Sequence, residues 1–173
     1  TSLVNFMAAG KAPTALAPFL AGAPLTALQK KQGGIRPIAV GEVFRRLVSK
    51  CCCTALMDPI GEHLSPTQVG VATRGGAEAL THALRRLASD HGHLDTKVAL
   101  KVDFQNAFNC IHRERFLQAV HQDFPDIYRW VAYCYSAPTF LFDGDHIISS
   151  ELGVQQGDPL GPLLFSLALR TLT

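Results

Sequence analysis

Charge is scarce in this sequence. Asp, Glu, Lys and Arg make up 17% of its 173 residues, where an ordinary soluble domain has about a quarter. With 47% hydrophobic residues the chain is not a disordered tail, which needs low hydrophobicity and high net charge. Long apolar runs are missing too. The longest, Leu163 to Leu169, is followed by Arg170 and falls far short of the roughly 20 residues of a membrane span. No Cys-x-x-Cys pair occurs. Five cysteines, three of them adjacent (Cys51, Cys52, Cys53, Cys110, Cys134), suit neither a disulfide framework nor a zinc site. They are expected to be small buried apolar side chains in a reducing compartment. The start at Thr1 shows no basic segment with a cleavage site, so no signal peptide is expected. Internal repeats and low-complexity linkers are absent, and the length suits about one domain.

What charge there is divides unevenly. Residues 1–102 carry 12 Lys/Arg against 6 Asp/Glu, and residues 103–173 carry 4 against 8. A net +6 joined to a net −4 hides inside the overall +2. Such a split suits an anionic substrate meeting a cation-binding site.

The apolar pattern predicts an α+β fold. Pro13, Pro18 and Pro24 limit helix length near the start. Ile35 to Val40 reads as a strand after Gly33-Gly34, at an edge or a strand start because of Pro37. From Val43 the residues Phe44, Leu47, Val48, Cys51, Cys52 and Ala55 predict one face of a helix. Arg45, Arg46 and Lys50 fall on its other faces, and Pro59 ends it. A second helix is predicted after Gly75-Gly76, with Leu80, Ala83, Leu84 and Leu87 inward. Lys97 to Phe104 alternates as a strand. Helices are expected over about Arg113–Gln122, from Pro125 (Ile127, Trp130, Val131 and Cys134 on one stripe), and from near Pro162 (Leu163, Leu164, Leu167 inward). Phe140 to Ser149 reads as a hairpin turning at Asp143-Gly144.

Three segments carry chemistry. Asp103 ends the predicted 97–104 strand, and a sheet end is a rigid mount for a metal-binding carboxylate. Phe108 lies five residues on, an aromatic ring that can pack beside whatever binds there. The second segment is G-V-Q-Q-G-D-P-L-G-P, Gly153 to Pro162. Its glycines admit close backbone approach, and its glutamines offer paired donors and acceptors. The third runs from Lys30 to Arg36, basic residues around a Gly-Gly turn that can grip phosphates.

In order, G-G-I-R-P-I, Gln68-Val69-Gly70, V-D-F-Q-N-A-F-N and G-V-Q-Q-G-D-P-L-G-P-L-L-F resemble the reverse transcriptase domain, particularly that of non-LTR retrotransposons. The resemblance covers nearly all of the chain from about Lys30. It implies a partial right-hand polymerase: 1–96 as N-terminal segment and fingers, 97–173 as the start of the palm. It implies two divalent ions, Mg²⁺ or alternatively Mn²⁺, and as partners an RNA template, a DNA primer, deoxynucleoside triphosphates and the remainder of the polymerase chain. Asp103 then looks like the first catalytic carboxylate and a metal ligand, and the Phe104 carbonyl like a further ligand. Phe108 matches the ring that packs on the incoming sugar and excludes a ribose 2′-hydroxyl. Lys30 or Lys31, with Arg36, match the residues that hold the triphosphate. Gln156 and Gly157 match the loop along the template and nascent pair.

One departure from the family pattern bears on activity. The family's aromatic-x-Asp-Asp hairpin follows the glutamine loop, and these residues hold no adjacent acidic pair. The expectation is therefore a piece of an RNA-directed DNA polymerase, inactive by itself. The alternative is a decayed or repurposed remnant that binds nucleic acid without catalysis. The 98–104 strand would have an exposed edge, making the isolated chain prone to aggregate.

Overall fold

The computed structural model describes residues 2–31, 33–93 and 100–170. They fall into two compact units, one of residues 1–55 and 106–173, the other of residues 56–105. In chain order the larger unit opens with α1 (Ser2–Ala8), a 3₁₀ turn (Thr14–Leu16), α2 (Ala17–Leu20), β1 (Ala23–Gln29), β2 (Ile35–Ala39) and α3 (Val43–Ala55). The smaller unit holds α4 (Met57–Leu64) and α5 (Gly76–His91). The larger unit resumes with α6 (Ala107–Cys110), α7 (Arg113–Asp123), α8 (Pro125–Tyr135), β3 (Thr139–Asp143), β4 (His146–Ser150) and α9 (Gly161–Arg170).

The described strands form one mixed sheet in the order β2-β1-β3-β4. β1 runs antiparallel to β2, with Leu25 opposite Ala39, and parallel to β3, with Ala23 opposite Leu141. The expected edge position of the Pro37 strand holds: β2 has a neighbour on one side only, where a missing N–H costs no ladder bond. β1 itself is absent from the sequence reading, because an Ala/Pro/Leu run with Pro24 inside it carries no alternation. The β3–β4 hairpin is where the pattern put it. Its two-residue loop is Gly144-Asp145, one position later than expected, and Gly144 at φ 58° takes the left-handed conformation that such a loop needs at its first position.

The core lies where α7, α8 and α9 meet. Phe116, Val120, Ile127, Trp130, Val131, Cys134, Leu163, Leu164 and Leu167 are all buried there, so the expected stripes of α8 and α9 hold. Each such side chain is worth about 1.5–3 kcal/mol when removed from water.

Several expectations fail. The helix begun at Val43 breaks at Leu56, and Pro59 sits in the first turn of α4, where its absent N–H would have had no partner anyway. α3 is rotated from the predicted face: Arg45, Val48, Ser49 and Cys52 are buried, while Phe44 and Leu47 are about half exposed. α5 forms, but Leu80, Leu84 and Leu87 are exposed rather than inward. Residues 100–104 are irregular, with Leu100, Val102 and Phe104 86%, 58% and 51% exposed. A strand exists only where a neighbour takes up its N–H and C=O groups, and no described strand pairs with this segment. The rest of that predicted strand, 97–99, lies outside the described residues. Of the cysteines, Cys52 and Cys134 are buried as expected, but Cys51 and Cys110 are on the surface.

Candidate functional site: the glutamine loop and its arginine clamp

The loop between β4 and α9 is pinned at both ends. At its start Arg113, from the first turn of α7, donates to the carbonyls of Gly153 (3.1 Å) and Ala137 (3.2 Å) and to the Ser150 hydroxyl (2.8 Å). Gly153, at φ 74°, has room for no side chain, since a Cβ would stand 2.5 Å from the Phe108 and Asn109 carbonyls. That closeness lets the Gly153 and Val154 amides donate to the Ile111 and Phe108 carbonyls, both at 2.8 Å. The loop is thereby stitched onto α6.

Further along, Arg45 of α3 reaches three acceptors from separate segments. Its Nη1 donates to the Ala21 carbonyl and, at 2.6 Å, to Gln155 Oε1; its Nη2 meets Asp158 Oδ2 at 2.9 Å. Gln155 Nε2 donates to the same Ala21 carbonyl at 2.7 Å. Tyr135 donates its hydroxyl to Asp158 Oδ2 at 2.8 Å, and the other carboxylate oxygen accepts the Leu160 amide at 2.9 Å. Both guanidinium groups lie near the Tyr135 ring, Arg45 4.9 Å and Arg113 5.4 Å from its centroid.

The pair Arg45–Asp158 is 1% exposed on both sides. Burial opposes the Arg45 charge, but Tyr135 and Asp158 outweigh it, and its pKa lies above the ordinary arginine value. Burial, then Asp158, pushes Tyr135 well above the ordinary tyrosine value, which keeps it a neutral donor. Burial pulls Arg113 below the usual arginine range.

Between the pinned residues, Gln156 is half-buried and Gly157 exposed. Gln156 lines a cleft of about 580 Å³ whose walls include Leu25, Pro37, Ala39, Leu141 and Glu151. Gly157 takes φ 132° with its Cα over the Ala39 carbonyl, which a Cβ would approach to 2.8 Å. Phe108 stacks on Phe165 of α9, centroids 4.9 Å apart at 11°.

The residues singled out in the sequence therefore divide into three places. Phe108, Gln156 and Gly157 come together around this loop. Lys30, Lys31 and Arg36 are exposed on the β1–β2 hairpin, whose turn is closed by the Lys30 amide on the Gly34 carbonyl. Asp103 and Phe104 are exposed in the smaller unit. Among the described residues, no three His, Cys, Asp or Glu side chains gather to hold a metal ion. Asp103 is one carboxylate, and the described residues do not compose a centre for two cations. Arg45, Asp158 and Tyr135 were not singled out. For Arg45 the signal was the stripe Arg45, Val48, Ser49, Cys52, also at helical spacing but not the most apolar one.

Residues 28–173 match the reverse transcriptase (RNA-dependent DNA polymerase) family. The chain is 33% identical over 151 residues to the retrotransposable element SLACS 132 kDa protein of Trypanosoma brucei gambiense. It is 28% identical over 156 residues to the retrovirus-related Pol polyprotein from the type-2 retrotransposable element R2DM of Drosophila melanogaster. These alignments take in 83% and 84% of this chain but only 12% and 14% of the two relatives. The chain belongs to the reverse transcriptase family. It is a reverse transcriptase domain segment of the non-LTR retrotransposon type. Enzymes of this family are RNA-directed DNA polymerases that use divalent metal ions. No helix among the described residues is long and apolar enough to cross a membrane.

Proposed function

We propose that this chain is the template- and nucleotide-handling part of an RNA-directed DNA polymerase that adds deoxynucleotides to a primer by two-metal phosphoryl transfer. In this reading residues 1–96 are the N-terminal segment and fingers, and 97–173 begin the palm of a right-hand polymerase. Gln156 and Gly157 meet the template and nascent pair. Phe108 excludes a 2′-hydroxyl from the incoming sugar, and Lys30 or Lys31 with Arg36 hold the triphosphate. Asp103 and the Phe104 carbonyl are ligands contributed to a cation centre that other acidic residues must complete, so the isolated chain adds no nucleotide. The observation that carries the reading is the seat of Phe108. The family's aromatic position is stacked on Phe165, and its own carbonyl takes the Val154 amide of the glutamine loop. Two motifs distant in sequence thus support one surface.

The test is retention of a primer–template by this chain across salt. Cationic side chains on phosphates release counterions, so affinity should fall about tenfold or more between roughly 50 and 200 mM salt. Salt-independent retention, or none, would refute the phosphate contacts. In a longer polymerase carrying this segment, Asp103→Ala should abolish nucleotide addition. Phe108→Ala should raise ribonucleotide incorporation, and unchanged sugar discrimination would remove Phe108 from its role.

A further inference from the structure

We infer that Arg45 is a positioning residue for Gln156 and Gly157, acting through Gln155 and Asp158. The inference rests on the proposed role of that pair at the nascent base pair, and it adds which buried group sets their place. Gln155 and Asp158, on either side, are buried and held by one guanidinium. The two residues between them are the ones left to solvent, Gln156 on the cleft and Gly157 over Ala39. Asp158 folds the chain back further, accepting the Leu160 amide on its carboxylate and the Gly161 amide on its carbonyl.

A buried ion pair is a poor source of stability, since well-packed apolar residues of similar volume serve as well or better. What the guanidinium does that an apolar side chain cannot is fix geometry. Its planar fork spans Ala21, Gln155 and Asp158 at once, whereas the single ammonium of lysine cannot reach all three. The hydrogen bonds of Arg45 go to Ala21, Gln155 and Asp158. Its effect on Gln156 and Gly157 passes through their neighbours.

The experiment compares the full chain with R45K, R45M and R45M/D158N. R45M leaves a buried carboxylate unpaired and loses stability, while the double substitution removes both charges and recovers most of it. Exchange of the Asp158 amide, whose bond to the Gln155 carbonyl closes the turn that carries Gln156 and Gly157, should be about tenfold faster in both R45K and R45M/D158N after allowance for intrinsic rates, with the amides of α8 unchanged. Exchange within about twofold of the original chain in a stable R45M/D158N would overturn the inference, leaving the pair a packing device. Primer–template retention separates this from the reading beneath it. No retention by the unsubstituted chain, with the exchange pattern intact, sinks the role of the pair and leaves the clamp. Retention with no change in exchange sinks the clamp and leaves the role.

Discussion

The loop of residues 153–160 and the segment of residues 100–104 are both irregular, and both carry motifs of the family. Their surroundings are opposite. In the loop, Val154, Gln155, Asp158 and Leu160 are buried, and two arginines from other helices hold it, Arg113 by the Gly153 carbonyl and Arg45 by the Gln155 and Asp158 side chains. In the segment, Leu100, Val102, Asp103 and Phe104 face solvent. Order in a stretch without secondary structure therefore comes from side chains far away in sequence, and a motif does not bring that order with it. Hydrogen bonds to charged groups are the strong ones in such an arrangement, and the loop has them where the segment is bare.

Substitutions can break this contrast from the pinned side. Arg45→Met should cost the most, about 3–5 kcal/mol in urea unfolding, because Asp158 stays buried without its partner. A loss below about 1 kcal/mol would mean that the guanidinium is hydrated in solution. Tyr135→Phe removes the hydroxyl that donates to Asp158 and accepts the Gln155 amide. It should cost about 1–3 kcal/mol, the range for leaving a buried polar group unsatisfied.

The alkaline limb offers a third measurement. Burial pushes the Cys134 thiol up to about 12 and those of Cys52 and Cys53 to about 11, and holds Tyr135 well above its ordinary value. All four folded pKa values lie above the unfolded ones, so the unfolded chain binds fewer protons as pH rises. Stability is then fully present below about pH 8 and falls from about pH 9 towards 12. Tyr135→Phe should flatten the upper part of that fall, and a curve indifferent to the substitution would refute the burial of Tyr135. The smallest effects belong to the bare side. Asp103→Asn and Leu84→Glu should each change unfolding free energy by less than about 0.5 kcal/mol. A larger loss from either would show that its surface is covered in solution.

The same contrast explains what could be read from sequence. α7, α8, α9 and the β3–β4 hairpin follow from local periodicity and one turn, so Trp130, Val131 and Leu164 fall where the pattern places them. The family motifs were legible as strings, and Phe108, Gln156 and Gly157 are brought together around one loop. Arg45 was not legible. Its burial is decided by Ala21, Gln155 and Asp158, and no window of the helix contains them. Over its described part, 100–104, the strand expected at 97–104 is irregular for the same reason, since alternation states a capacity to pair and names no partner. Of the net +6 of the first 102 residues, one charge is spent inside on Asp158.

The Arg45–Asp158 bond also sets a schedule. The two residues are 113 positions apart, and β1 likewise awaits Leu141 for its parallel pairing. A ribosome adding about 5–20 residues per second needs roughly 6–23 s to make the intervening chain. Throughout that interval α3 carries an arginine at the first buried position of its future inward face, without the Asp158 carboxylate that receives it. The amino-terminal third cannot close early around the wrong neighbours without burying that charge, so its final packing is deferred until the glutamine loop has been made.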